Sequence, residues 1–125
     1  MTTQPYKLPE EKLREKLEAF PPEFREHVWT YRRAPAPKGL EAIARGLLAY
    51  HAGAAFQTKY AEKKDDLRLV EDLGFDSLAL VDLSFQAEEF VGIVIQIEDL
   101  PKIKTLRDLL GLLRSKAFPN PAFAG

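Results

Sequence analysis

Leu73-Gly74-Phe75-Asp76-Ser77-Leu78 is the stretch that decides how the rest of this 125-residue chain is read. A glycine-bearing loop gives way there to a long helix-periodic run, so Ser77 falls where loop becomes helix. By itself, Asp-Ser ahead of an apolar run is a helix N-cap signal. A short polar side chain accepts from amides that the first turn leaves without partners. Gly74 allows the tight backbone that such an entry uses.

Downstream, Leu78, Val81, Phe85 and Phe90 or Val91 recur at helical spacing, and Gly92 ends the run. Residues 93–97 alternate and are β-branched, but no partner strand is legible and a lone strand is not stable. They read as an apolar connector laid across a helical bundle. A short helical turn over 98–103 and a last helix over 105–115 follow. Thr105 and Asp108 supply a cap and a first-turn acid, with Leu106, Leu109, Leu110 and Leu113 facing inward.

Upstream, Asp65 and Asp66 open a loop whose Leu67, Leu69 and Val70 turn back toward the core. Before it, residues 39–63 hold the longest helical pattern, with Leu40, Ile43, Leu47, Tyr50 and Ala54 at spacings of three and four. Small residues recur there at four-residue intervals, as Ala42 and Gly46, then Ala49 and Gly53. They suit either tight helix packing or the close approach of a ligand chain.

Ala34-Pro35-Ala36-Pro37 is a stiff, extended connector. Two short helices precede it, over 9–20 (Leu13, Leu17, Phe20) and 22–33 (Phe24, Val28, Tyr31), separated by Pro21-Pro22. Trp29 lies off the second stripe. Each helix is too short to be stable alone. The hairpin must therefore pack on the main domain or self-associate through Phe24, Val28, Trp29 and Tyr31. The chain divides into a hairpin and connector (1–37), a main domain (38–116) and a flexible tail (117–125), all-α throughout.

Composition narrows the function. Apolar residues at 46% and charged residues at 30% describe an ordinary soluble protein. The chain has no cysteine, hence no disulfide, thiolate metal site or cysteine nucleophile, and thiol chemistry would need a sulfur brought by a cofactor. Residues 1–64 hold 12 Lys/Arg against 8 Asp/Glu, and residues 65–125 hold 6 against 11. An acidic second half with scattered basic residues suits a basic protein partner rather than nucleic acid. Residues 1–9 carry no secretory signal, and Glu41, Arg45 and His51 interrupt the most apolar early stretch, so neither a leader nor a membrane span is read and a cytoplasmic location is expected. His27 and His51 lack metal-ligand spacing, and no phosphate-cradling glycine loop or hydrolase elbow is present. A carrier without autonomous catalysis fits better than an enzyme.

Taken together, residues 67–113 resemble an acyl carrier protein. Val70-Glu71-Asp72-Leu73-Gly74-Phe75-Asp76-Ser77-Leu78 is similar to the family's attachment-site signature. The likeness runs on through Val81, Asp82, Leu83, Glu88, Glu89, Ile95, Glu98, Asp99 and Lys102-Ile103-Lys104-Thr105. The N-terminal hairpin lies outside the family pattern. The resemblance implies a bundle of three long helices and one short one. Ser77 would bear a 4′-phosphopantetheine ester whose thiol holds acyl groups as thioesters, flanked by Gly74, Asp76 and Leu78. In the family, the residue matching Asp76 also assists the metal-dependent transferase.

The resemblance further implies partner contacts through Asp82, Glu88 and Glu89, with Phe85 enlarging the apolar part of that surface. The implied partners are a phosphopantetheinyl transferase and acyl-transferring, ketosynthase-type or other enzymes of fatty-acid or polyketide biosynthesis. Ala79 stands where fatty-acid carriers usually have an acid, and Ser77-Leu78-Ala79-Leu80 looks more like carriers of type II polyketide systems. A helix this weakly acidic and the extra hairpin keep an alternative open, an unmodified carrier-like scaffold or interaction module.

Overall fold

Pro9 has the extended backbone of a helix cap, and Glu10 and Glu11 lie where the first turn's positive potential favours anions. Helix α1 (Glu10–Leu17) therefore starts there and turns Leu13 and Leu17 inward. Pro22, at the first helical position, opens α2 (Pro22–Arg33), which buries Phe24, Val28 and Tyr31. Pro37 plays the same part for α3 (Pro37–Ala52), whose inner face is Leu40, Ile43, Ala44, Leu47 and Leu48. The computed structural model describes residues 8–119. Residues 1–7 of the expected hairpin segment and 120–125 of the expected tail lie outside the described residues.

The long helix expected over 39–63 is two helices. Gly53 takes φ 61° and ψ −134°, a conformation that suits glycine far better than any residue with a Cβ, and it ends α3 before α4 (Ala54–Lys63). A 3-10 turn (Lys64–Asp66) leads into the loop before Ser77. Helix α5 (Ser77–Ala87) runs on into a π turn (Glu88–Gly92). Residues 93–96 form an irregular connector, and among the described residues it belongs to no strand. A 3-10 turn (Ile97–Lys102) and α6 (Leu106–Ala117) complete the fold. Helix α6 begins with a reciprocal capping box, Thr105 with Asp108, and at the 3-10 turn the Asp99 carboxylate accepts the Gln96 amide.

The hairpin and the remaining helices share one hydrophobic core, reaching from Leu13 to Leu113. The small residues of α3 are the seat for α2. A Cβ on Gly46 would stand 2.7 Å from Cε1 of Phe24, and one on Gly39 would stand 2.9 Å from Cδ1 of Tyr31. Helix α2 approaches α3 closely because those side chains are missing. Four aromatic rings then join hairpin, α3 and π turn. Phe20 stacks on Phe24 at 4.6 Å and on Tyr50 at 4.2 Å, and Phe90 meets Phe20 edge-on at 5.3 Å. Such pairs contribute about 0.5–1.5 kcal/mol each beyond area burial. Phe24, Val28 and Tyr31 are thus buried within the chain, which takes them away from the self-association considered for the hairpin.

Candidate functional site at the start of the fifth helix

The loop before Ser77 is fixed by its own hydrogen bonds. One Asp72 oxygen accepts from Lys63 Nζ at 3.0 Å and the other from the Arg68 amide at 2.7 Å. These bonds, the Arg68 amide foremost and then Lys63, hold the Asp72 carboxyl below the ordinary aspartate value. The amides of Gly74 and Phe75 donate back to the carbonyls of Val70 and Leu69, both at 3.0 Å. Gly74 adopts φ 76°, which is why the turn takes glycine. Leu69 N–H also donates to the Lys104 carbonyl at 2.9 Å, and Leu106 N–H to that of Leu67 at 3.0 Å. The loop is thereby tied to the entry of α6. Leu67 and Leu69 are buried, whereas Val70, expected in the core, lies in the turn over 69–73 and is exposed.

Asp76 caps α5 as the sequence suggests. Its Oδ1 accepts the Ala79 amide at 2.8 Å, and its carbonyl accepts the Leu80 amide at 3.0 Å. The amides of Ser77 and Leu78 are left at the open end of the helix, where no earlier turn supplies an acceptor. Ser77 and Leu78 are both exposed. Beside this turn lies an open cleft of about 650 Å³, walled by Val70, Leu80, Leu100, Pro101 and Ile103. On the other side Phe75 is buried, with the His51 ring edge-on at 5.8 Å. The His51 imidazole is itself hydrogen-bonded to Gln86 Oε1 at 2.7 Å.

The inward face of α5 differs from the expected one. Leu83, Ser84 and Ala87 are buried, while Leu78 (69% exposed) and Phe85 (58% exposed) point outward. The helix is apolar on several sides, so periodicity alone could not choose. Ser84 is tolerated inside because its hydroxyl donates to the Leu80 carbonyl at 2.8 Å. Leu78, Asp82 and Phe85, at positions i, i+4 and i+7, form one exposed stripe.

Glu88 is not on that stripe, and its assignment as a partner-facing acid is corrected. It is 4% exposed, and Oε2 accepts the Ile95 amide at 2.7 Å, holding the 93–96 connector against the bundle. Glu89 is half-buried and lies 3.4 Å from Lys16 Nζ of α1.

The family described as phosphopantetheine attachment site matches residues 57–113, from within α4 to the last turns of α6. An acyl carrier protein of Solidesulfovibrio magneticus is 38% identical over 56 residues, which cover 45% of this chain and 72% of that protein. One from Thermotoga maritima is 38% identical over 52 residues, 42% of this chain and 64% of its own length. A meromycolate extension acyl carrier protein of Mycolicibacterium smegmatis is 31% identical over 64 residues, 51% of this chain and 65% of its own.

The chain belongs to the acyl carrier protein family.

It spans a little under two thirds of the length of several of these relatives, and the hairpin, all of α3 and the first residues of α4 lie before the matched segment. The all-α bundle is the family's fold, and 4′-phosphopantetheine is the family's prosthetic group. The residues at the start of α5 fit such a group. A solvent-facing hydroxyl, two open amides and a positive helix end meet there, and the one adjacent carboxylate is engaged by Ala79. Three residues around the α5 region had no signal in the sequence. Lys16 and Arg32 reach it from the hairpin, and His51 reaches it from α3, all across long stretches of chain.

No described helix is long and apolar enough to cross a membrane.

Proposed function

We propose that Ser77 anchors a 4′-phosphopantetheine arm and that the chain carries acyl groups on it for separate enzymes of fatty-acid or polyketide-type biosynthesis. The observation that carries this reading is the exposed Ser77 at the first position of α5, directly after Asp76, which caps the helix. Bound there, the group supplies the thiol that a cysteine-free chain lacks. The chain's own contribution is placement. The Ser77 and Leu78 amides and the helix dipole favour a phosphodiester anion at this point. Gly74 and the Asp72-braced loop keep the approach to the hydroxyl open, since nothing lies within 4 Å of where a Gly74 side chain would start. The cleft walled by Val70, Leu80 and Ile103 offers nearby apolar surface for a short acyl chain. Catalysis is left to partner enzymes, a phosphopantetheinyl transferase first among them.

Incubation with a broad-specificity phosphopantetheinyl transferase and coenzyme A, followed by intact-mass measurement, tests the proposal. The expected outcome is one added arm on the native chain and none on Ser77→Ala. No added mass on the native chain, or the same gain on Ser77→Ala, would sink it.

A further inference from the structure

The stripe Leu78, Asp82, Phe85 reaches its next turn at Glu89, and there the N-terminal hairpin is already in place. Lys16 of α1 holds the Glu89 carboxylate at 3.4 Å. Arg32 of α2 donates to the Phe90 carbonyl at 3.4 Å, serving one of the acceptors that a helix end leaves open. Beneath these cations, Phe90 packs against Phe20 and Phe24 of the hairpin with centroids 5.3 and 5.7 Å away. The contact is layered, with an aromatic interior and a basic margin over the negative end of the helix.

This changes the charge that α5 presents. Its three acids with the π turn are Asp82, Glu88 and Glu89. Glu88 is buried on the Ile95 amide, and Glu89 is matched by Lys16. Among the described residues, only Asp82 of these three is exposed and without an ion pair. Leu78 and Phe85 flank it, more than half exposed. The Lys16–Glu89 pair is in part exposed and adds little stability, so its main consequence is to balance the Glu89 charge at the surface.

We propose that the hairpin is a built-in selectivity element, which masks the far turn of α5 so that enzymes dock on Leu78, Asp82 and Phe85 alone. The partner that fits is an enzyme surface with an apolar socket beside a single lysine or arginine. A surface built around a row of cations finds one acid here and meets Lys16 at the next turn. Charge complementarity sets encounter rate and register, so the mask acts on which enzymes engage and how strongly salt affects them. The inference rests on the carrier reading of Ser77 and adds to it the role of residues outside the matched segment.

The test uses the full chain and the rate of Ser77 loading by a broad-specificity phosphopantetheinyl transferase, at low and high salt. Phe85→Ser, Asp82→Asn, Glu89→Gln and Lys16→Gln all change side chains that are at least partly open, and circular dichroism checks that each folds. Phe85→Ser should lower kcat/KM about tenfold at either salt, as loss of an interface anchor does. Asp82→Asn should lower it about threefold at low salt only, and Glu89→Gln, which leaves the Lys16 cation unbalanced, should lower it by a similar factor under the same conditions. Lys16→Gln, which unmasks Glu89, should raise low-salt loading several-fold. Lys16→Gln loading no faster than the native chain at low salt would overturn the mask. Equal loading of all four variants would overturn it too, with the carrier reading intact. Failure of the native chain to load at all would remove the carrier reading itself.

Discussion

Gly46→Ala tests whether the hairpin is seated on α3, because one methyl group has to fit where Phe24 already lies. The new Cβ would stand 2.7 Å from Cε1 of Phe24 and closer still to Cδ1. The ring has little room to yield. It is buried, stacked on Phe20 at 4.6 Å, and edge-on to Phe90 at 5.7 Å. Overpacking of this kind costs about 1–3 kcal/mol, and the locked ring puts this case at the upper end. Replacing a mid-helix glycine by alanine returns about 1 kcal/mol of helix propensity. The net expectation is a loss of about 2 kcal/mol, or roughly 8 °C in Tm for a domain of this size. Gly111→Ala is the control. It lies in α6 with nothing within 4 Å, so the same substitution should stabilise by about 1 kcal/mol. Thermal melts of both variants and of Gly46→Ala/Phe24→Ala complete the experiment. The double variant should cost at least about 1 kcal/mol less than the sum of the singles, since truncating the ring makes room for the methyl. If Gly46→Ala instead melts at or above the native chain, as Gly111→Ala should, Phe24 is not packed there in solution and the seating of the hairpin is wrong.

Further expectations follow from buried and braced carboxylates. Glu88→Ala leaves the Ile95 amide without its acceptor and should cost about 1–3 kcal/mol in urea unfolding, whereas Glu89→Ala, changing an open ion pair, should stay within about 0.5 kcal/mol. Similar losses for the two would refute the buried role of Glu88. Asp72 and Asp99 both titrate below the ordinary aspartate value. Asp72 is held there by the Arg68 amide and Lys63, and Asp99 by Lys116 and the Gln96 amide. With folded values depressed, the unfolded chain binds more protons in acid. Their stabilisation is then fully present above the ordinary value of about 3.9 and lost as pH falls through the folded values. Melts from neutral to strongly acidic pH should show Asp72→Asn and Asp99→Asn below the native chain at neutrality and converging with it in acid. A gap that stays constant with pH would count against the braced-carboxylate account.

Much of this was legible because it is local. The cap at Asp76, the box at Thr105 and Asp108, and the proline start of α2 depend on residues within one helical turn, whereas Pro37, read as the end of the connector, opens α3 two residues before the expected start at 39. The inward leucines of α6 follow from one clear apolar stripe between polar neighbours. Helix α5 had no such contrast. Leu78, Leu80, Val81, Leu83 and Phe85 cover most of its circumference, and the exposed stripe and the inward one are equally helical in spacing. The break at Gly53 was hidden because a glycine within a helical pattern costs only about 1 kcal/mol and does not by itself announce a stop.

The sequence by itself determined the all-α class, the starts of α2, α5 and α6 and the place of Ser77 at a loop-to-helix junction, since each is set by neighbours along the chain. Tertiary structure alone decided which side of α5 faces out, that Glu88 serves the connector, and that Lys16 and Arg32 close over the end of α5. Arg32 and Phe90 are 58 residues apart, and their meeting depends on α2 settling against the glycines of α3. Where many apolar faces compete for one core, the choice among them is made by packing, and packing is a property of the whole chain.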